Sequence, residues 1–300
     1  MSVKLNSCYS LKGPMIVLAL LFIHVLWSHL IYYTILIYAV MNMPNLLNIQ
    51  QLSYVYHTMQ GETLAIKDIS FTVSKGQFIS IVGPSGCGKS TLLSLISGLL
   101  APSAGQIVID QSILENLKYA IGYMLQKDHL FEWRSVYENV LLGLEIAHVK
   151  TPENIAYVEE LLEKYELKDF KKYRPSQLSG GMRQRVALIR TLALKPDLLL
   201  LDEPFSALDY QTRLNVADDM YNIIKKEGKT ALLVTHDIAE AISMADEVIV
   251  LSKRPANIKA SFSITLETED RTPLKSRADH SFSSYFNQIW RELNDVPSTT

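Results

Sequence analysis

Cysteine is scarce: Cys8 and Cys87 are the only two in 300 residues. That excludes a fold stapled by disulfides. An excess of either charge is missing as well, with 29 Lys and Arg against 31 Asp and Glu and a formal net charge of −2. Such a balance lacks the basic footprint of a nucleic-acid binder, so no nucleic-acid partner is expected. More unusual is a local absence. From Gly13 through Gly61 there is no Asp, Glu, Lys or Arg. Within that stretch Met15 to Met41 is almost wholly apolar, broken by His24, Ser28, His29 and Thr34. It is long enough for one membrane span and too short for two. It is too long for a signal-peptide core, and no small-residue cleavage site follows it.

The charge flanks conflict with a span. Lys4 and Lys12 precede the run, and the next positive charge is Lys67. The positive-inside rule then places everything after the run outside the cell. Residues 1–42 therefore read as an upstream extension of the reading frame, with Met41 and Met43 as starts beside the domain. A genuine single anchor is the alternative.

What is present is organised around Gly83-Pro-Ser-Gly-Cys-Gly-Lys-Ser90, a G-x-x-x-x-G-K-S phosphate-binding loop. Gln77 to Val82 reads as the buried strand before it and Thr91 to Leu99 as the helix after it, which is the context the motif requires. Gly83, Gly86 and Gly88 let backbone N–H groups turn inward around phosphates, and Pro84, Ser85, Cys87 and Thr91 complete the cradle. The helix N-terminus adds its positive dipole end. Lys89 can reach the β- and γ-phosphates and the Ser90 hydroxyl can ligate Mg²⁺. Cys87 inside the loop fits a reducing, cytosolic setting. As a thiol at a helix N-terminus it is expected to be reactive, to be shielded by bound nucleotide, and to block binding once labelled.

Around the loop, Leu46 to Tyr56 and Ala65 to Val73 read as strands of an antiparallel layer, with Gly105 to Ile109 and Ala120 to Met124 as further strands. Residues 128–180 contain no strand pattern. Ser135 to Glu138 is a capping box, and Thr151-Pro152 opens a second helix. That stretch reads as a helical insertion. The α/β pattern resumes with a helix over 181–193, the apolar strand Leu198 to Leu201, a helix over 210–226 closed by Gly228, the strand Thr230 to Val234, a helix over 238–244 and the strand Glu247 to Leu251. The expected fold class is α/β: a P-loop NTPase core with a mainly parallel sheet, an antiparallel β layer and an inserted helical subdomain. Ligands in such sheets sit at the carboxyl ends of strands, where Gly83, Gln126, Asp202 and His236 all fall.

Asp202 and Glu203 end a strand. Asp202 can hold Mg²⁺, and Glu203 is placed to act as base toward water attacking the γ-phosphate. Ser179, Gly180 and Gly181 open a helix and form a second anion site. Two phosphate-binding helix starts in one chain point to a head-to-tail dimer, in which each phosphate loop faces the other chain's Ser179.

At Leu178-Ser-Gly-Gly-Met182, with the phosphate loop and Asp202-Glu203, the chain resembles the ATP-binding subunit of ABC transporters over about residues 45–253. The resemblance implies ATP and Mg²⁺ as ligands, with Gln126 joining the metal and the attacking water to the helical insertion. It implies that His236 contacts the γ-phosphate and supports Glu203, and that Asp209, in Ser206-Ala-Leu-Asp209, lies across the dimer seam. Tyr56 corresponds to the aromatic ring stacked on adenine, with Tyr54 the alternative. Implied partners are a second ATPase subunit, transmembrane permease subunits received by the surface around Phe131, Trp133 and Arg134, and, indirectly, an extracytoplasmic solute-binding protein. Trp133 is equally readable as core. The implied location is the cytoplasmic face of the membrane, as a peripheral subunit. Asp237 to Asp246, Phe131 to Arg134 and Lys253-Arg-Pro-Ala256 are similar to the nitrate, sulfonate and taurine importer subfamily.

The expected organisation is residues 1–42 as extension, 43–253 as the ATPase domain with its insertion at 128–180, and 254–300 as a short C-terminal extension. A chain begun at Met43 is expected to bind ATP as the long form does. An exporter half-transporter would need several spans before the domain. Repair or translation ATPases carry coiled-coil or clamp insertions, or two tandem units. A P-loop kinase lacks the stretch 178–182.

Overall fold

A computed structural model of the chain describes residues 45–59, 61–110, 112–113, 121–268 and 271–294. The apolar run at 15–41 and both expected start methionines lie outside the described residues. Among the described residues, no helix is long and apolar enough to cross a membrane.

Two sheets form the frame. The first is antiparallel, in the order β2–β1–β4–β5, with β1 at Asn45–Thr58, β2 at Gly61–Ser74, β4 at Ala104–Ile109 and β5 at Ser112–Ile113. The second runs β10–β9–β3–β8–β7–β6, with β3 at Phe78–Val82, β6 at Ile121–Met124, β7 at Leu198–Asp202, β8 at Thr230–Thr235, β9 at Glu247–Leu251 and β10 at Ile258–Ser263. All neighbours in it are parallel except β9 and β10. This edge strand was not evident in the sequence, since Ile258–Ser263 alternates half-buried and exposed residues and pairs only through β9.

Strands β3, β7 and β8 are buried along their whole length. That is what parallel strands covered on both faces require. Alternate residues then serve two cores, because side chains in a strand point to opposite faces. Phe78, Val82, Leu199, Leu201, Ala231 and Leu233 face one core, and Ile79, Ile81, Leu198, Leu200, Leu232 and Val234 the other. The second core is closed by the antiparallel sheet and by helix α1, Lys89–Ile96. The first is closed by helices α2 at Val136–Ile146, α3 at Pro152–Lys164, α4 at Gly180–Leu192, α5 at Tyr210–Lys226 and α6 at Ile238–Met244. After β10 come the short helix α7, Pro273–Ser276, and α8, Phe282–Leu293. Helix α8 lays Phe282, Tyr285, Phe286, Ile289 and Leu293 on the first core, one face at helical spacing.

Local signals hold where they are contiguous. Ser135 and Glu138 form the reciprocal capping box, and Thr151 caps α3 ahead of Pro152. Helix α1 is shorter than expected at its far end. It stops at Ile96, and Leu99 is exposed. Gly98 takes a positive φ of 75°, and the Gly98 and Leu100 amides bond back to Leu95 and Ser94, ending the helix before Leu99.

Candidate active site

Strand β3 delivers the phosphate loop to the carboxyl edge of the parallel sheet. Gly86 and Gly88 hold φ of 70° and 129°, a region that L side chains rarely enter. A Cβ on Gly88 would come within 3.2 Å of the Ala65 carbonyl. Lys89 is buried, and its Nζ donates to the carbonyls of Gly83 at 2.9 Å and Pro84 at 3.1 Å. The ammonium is thus folded over its own loop.

Ser90 opens α1 and its Oγ donates to Asp202 Oδ1 at 3.3 Å. The Tyr123 hydroxyl, from β6, donates to Asp202 Oδ2 at the same distance. Burial pushes the Asp202 carboxyl above the usual range, with Ser90 and Tyr123 opposing. Burial, and then the Asp202 charge, push the Tyr123 hydroxyl up to about 12. One residue on, Glu203 takes φ of 44°, held by its amide on the Val234 carbonyl at 2.8 Å. A non-glycine residue in this region costs of order 1–3 kcal/mol and persists only where surrounding structure imposes it. The twist turns the Glu203 carboxylate toward His236, whose Nδ1 lies 3.0 Å from Oε2. His236 follows β8 directly, and behind it Thr235 donates to the buried Glu240 at 2.7 Å.

Ser85, Gly86, Gly88, Lys89, Ser90, Thr91, Gln126, Asp202 and Glu203 line one cleft of about 320 Å³. Gln126 reaches it from the exposed loop after β6. The lining is polar: hydroxyl, amide and carboxylate oxygens face a lysine and a helix N-terminus. Such a donor set suits a phosphate chain with a hard, oxygen-seeking cation. At its rim Tyr56 is 38 % exposed and its hydroxyl lies 3.0 Å from Thr91 Oγ1. Tyr54 packs on the core and meets Tyr56 edge-on, ring centroids 4.8 Å apart. The exposed ring beside the loop is therefore Tyr56.

Ser179 and Asp209 are not in this cleft. Ser179 is the N-cap of α4, its Oγ accepting from the Met182 amide, and Asp209 caps α5 the same way through Thr212. With Gly180 and Gly181 they line a second pocket of about 370 Å³. A Cβ at Gly181 would meet Val216 Cγ2 at 2.8 Å, so glycine there lets α4 and α5 close on each other.

Two expectations are corrected. The Cys87 side chain does not line the cleft. It is 2 % exposed within the second core, and burial pushes its thiol up despite the nearby Lys89. A helix start activates a thiol only where solvent or ligand reaches it. Arg134 is not a free surface arginine either: it is half-buried and paired with Glu145 at 2.8 Å. Trp133 is 70 % exposed, with the Phe131 ring 4.7 Å away.

Sequence reasoning missed Tyr123 as a support of Asp202. It missed Arg254 in the cleft too, although it had singled out the Lys253–Ala256 stretch. The Arg254 guanidinium bonds the Gly86 carbonyl at 2.8 Å. The loop that carries it is pinned to β2, with Ala256 N on the Ala65 carbonyl and Lys67 N on the Ala256 carbonyl, both at 2.9 Å.

The model of the ABC transporter family matches residues 66–206, from β2 through the Asp202-Glu203 pair. The chain is 48 % identical over 250 residues to the ABC transporter ATP-binding protein YtlC of Bacillus subtilis, spanning 83 % of this chain and 96 % of that one. This chain is a member of the ABC transporter ATP-binding protein family. It is also 40 % identical over 261 residues to the taurine import ATP-binding protein TauB of Rhizobium johnstonii, covering 85 % of this chain and 97 % of the relative. Among solved structures, this ABC ATPase superposes with a TM-score of 0.62 at 30 % identity on the ATP-binding cassette MJ0796, a dimer in a post-hydrolysis state bound to ADP and Pi. That match covers 73 % of this chain and 99 % of the cassette. As a member of this family the chain is an ATPase.

Proposed function

We propose that this ATPase powers an importer for a small solute such as nitrate, a sulfonate or taurine, working as one half of a head-to-tail dimer on the cytoplasmic face of the membrane. One observation carries the dimer: the phosphate-loop cleft and the Ser179–Asp209 pocket are separate on one chain. Two anion-binding sets that cannot share one nucleotide in a monomer can do so across a two-fold seam. The similarity to taurine import ATP-binding proteins supports the solute class. Exposed Trp133, stacked near Phe131, suits an anchor for a permease helix. In this reading residues 43–253 carry the ATPase domain, the 254–300 extension packs onto it through β10 and α8, and a solute-binding protein acts only through the permease.

In this reading Tyr56 stacks on adenine. Lys89 leaves the Gly83 and Pro84 carbonyls for the β- and γ-phosphates, and the loop amides hold the phosphate chain. Ser90, Asp202 and Gln126 would hold Mg²⁺, which when bound neutralises phosphate charge and polarises the γ-phosphoryl group. Glu203 takes a proton from water as its oxygen bonds to the γ-phosphorus and the bond to the bridging oxygen of ADP breaks. The His236 bond keeps the Glu203 carboxylate aimed at that water.

Glu203→Gln tests the site. Asp202, Ser90 and Lys89 are untouched, so ATP binding should persist. An amide cannot accept the proton, so phosphate release should fall by at least about a hundredfold, within the range of a lost general base. The γ-phosphate should then hold an ATP-dependent dimer, visible by chromatography with light scattering. Adding Ser179→Arg should abolish it. Near-normal turnover would remove Glu203 from its role, and a dimer indifferent to nucleotide would remove ATP as the bridge. For the solute, the ATPase reconstituted with its permease should be stimulated by a taurine-, sulfonate- or nitrate-loaded binding protein.

A further inference from the structure

The turn between β9 and β10 stands against the phosphate loop. It is closed on itself first. The Ser252 amide donates to the Asn257 carbonyl and the Asn257 amide to Ser252 Oγ, both at 3.0 Å. Ser252 Oγ also lies within bonding distance of the Lys253 and Pro255 carbonyls, at 2.9 Å and 3.2 Å. The turn is then fixed to its surroundings. Ala256 is buried and tied through backbone bonds to Ala65 and Lys67 of β2. Its Cβ lies 3.6 Å from where a Cβ on Gly88 would stand. Residues 252–257 thus form a rigid mount, and Arg254 is the side chain it holds over the phosphate loop.

Arg254 Nη2 donates to the Gly86 carbonyl at 2.8 Å. Lys89 is held in the same manner on the carbonyls of Gly83 and Pro84. Carbonyls of one loop therefore hold two cations, and both line the cleft that contains Asp202 and Glu203. Arg134, Arg183, Arg213 and Arg271 each meet a carboxylate. Among the described residues, Arg254 has only the Gly86 carbonyl. A guanidinium carries several donors in a planar fork, and this contact uses one. The side chain is exposed, so the others are open to the cleft.

The charge balance points the same way. Lys89 by itself faces the two carboxylates, and Arg254 evens the count. The phosphate chain of ATP stays anionic even with Mg²⁺ bound, so a second cation on the loop side favours it. A guanidinium fork also matches two phosphate oxygens at once, which an ammonium cannot.

We propose that Arg254 is a second phosphate-binding cation of this ATPase, gripping oxygens of the nucleotide's phosphate chain beside the Gly86 turn while Lys89 grips from within the loop. The inference rests on the reading of this cleft as the nucleotide site. It adds a binding residue from outside the phosphate-loop motif, supplied by the turn that opens the C-terminal extension. The contact is to phosphate, so it is blind to the base.

The test uses the full chain and calorimetric titration with Mg-ADP and with a non-hydrolysable ATP analogue. Arg254→Gln keeps an N–H donor and loses the charge. Affinity for both nucleotides should fall by about tenfold or more, the scale of a lost charge-assisted contact. Arg254→Lys keeps the charge and should recover most of that loss. A merely structural prop for Gly86 would not move the second readout, the salt dependence. The fall of affinity with rising salt should be shallower in Arg254→Gln than in the parent, and close to the parent in Arg254→Lys. The matching guanosine nucleotides should lose by the same factor. Arg254 is exposed, so both variants should fold, as circular dichroism would check. Affinity in Arg254→Gln within about twofold of the parent would overturn the proposal. So would a loss that leaves the salt dependence unchanged, or one that Arg254→Lys shares in full. Lys89→Ala should abolish binding whatever residue 254 carries. Full affinity in Lys89→Ala would instead defeat the reading of the cleft on which the proposal rests.

Discussion

Glu227 joins the helical insertion to the ATPase core, and its removal makes a quantitative test of how the two lobes are held. It sits at the C-terminus of α5, and its carboxylate accepts from Lys164 and Tyr165 at 2.7 Å each and from Tyr157 at 3.2 Å. All three donors lie on α3 or at its end. The Glu227 side chain is 11 % exposed. Glu227→Ala strands two tyrosyl hydroxyls whose only acceptor among the described residues it removes. Each hydrogen bond to a charged group contributes about 1.5–3 kcal/mol, and an exposed lysine contact far less. Two such bonds, partly replaced by water entering the gap, give a loss of about 3 kcal/mol. In a domain of this size that lowers Tm by roughly 6–12 °C.

Glu227→Gln, which keeps an acceptor, should lose less than half as much. The pH dependence has a definite sign. Burial raises the Glu227 carboxyl, but the Lys164 and Tyr165 bonds outweigh it and hold it low. A carboxyl lowered by folding stabilises fully above its unfolded value, and that stabilisation is lost as pH falls through the lowered one. The difference between wild type and Glu227→Ala should therefore be flat from neutral pH down to the ordinary carboxylate range and shrink below it. Thermal unfolding followed by circular dichroism reads both. Hydrogen exchange should show α3 amides loosening before those of β3 and β8. A loss below 1 kcal/mol, or a difference that grows toward acid, would refute the reasoning.

Two further outcomes follow from the site. Asp202 is raised by burial, so ionising it at neutral pH costs native stability. Asp202→Asn should raise the Tm of the nucleotide-free protein while abolishing Mg-dependent phosphate release; a lowered Tm would contradict that balance. Cys87, buried and with its thiol pushed up, should resist maleimide equally with and without Mg-ATP in the folded protein and label fully in denaturant, as mass spectrometry would read; rapid labelling suppressed by ATP would restore the ligand-facing placement.

Features written in contiguous residues were legible without coordinates. The loop Gly83–Ser90, the pair Asp202-Glu203, the cap at Ser179 and the box Ser135–Glu138 depend on neighbours within a turn or two, so spacing reveals them. The alternation of parallel strands with helices fixed the fold class, because only that order covers both faces of strands as apolar as Leu198–Leu201. A wholly apolar strand, however, says nothing of which residue faces which layer. That division between the two cores arose only when the antiparallel sheet closed one face and α2 to α6 the other.

Direction and long-range pairing belonged to tertiary structure alone. Cys87 sits in a motif that names its position but not its orientation; the loop turns its side chain into the core. Arg254 meets Gly86 across 168 residues and Tyr123 meets Asp202 across 79. Arg183 reaches Asp128 across 55 and Glu227 reaches Tyr165 across 62. A charge or hydroxyl with no local partner looks like any solvated side chain in the sequence, because the strength of its interaction depends on burial and geometry that arise only after the chain has packed. By itself the sequence determined which chemistry this protein carries; the packed structure decided which residues hold that chemistry in place.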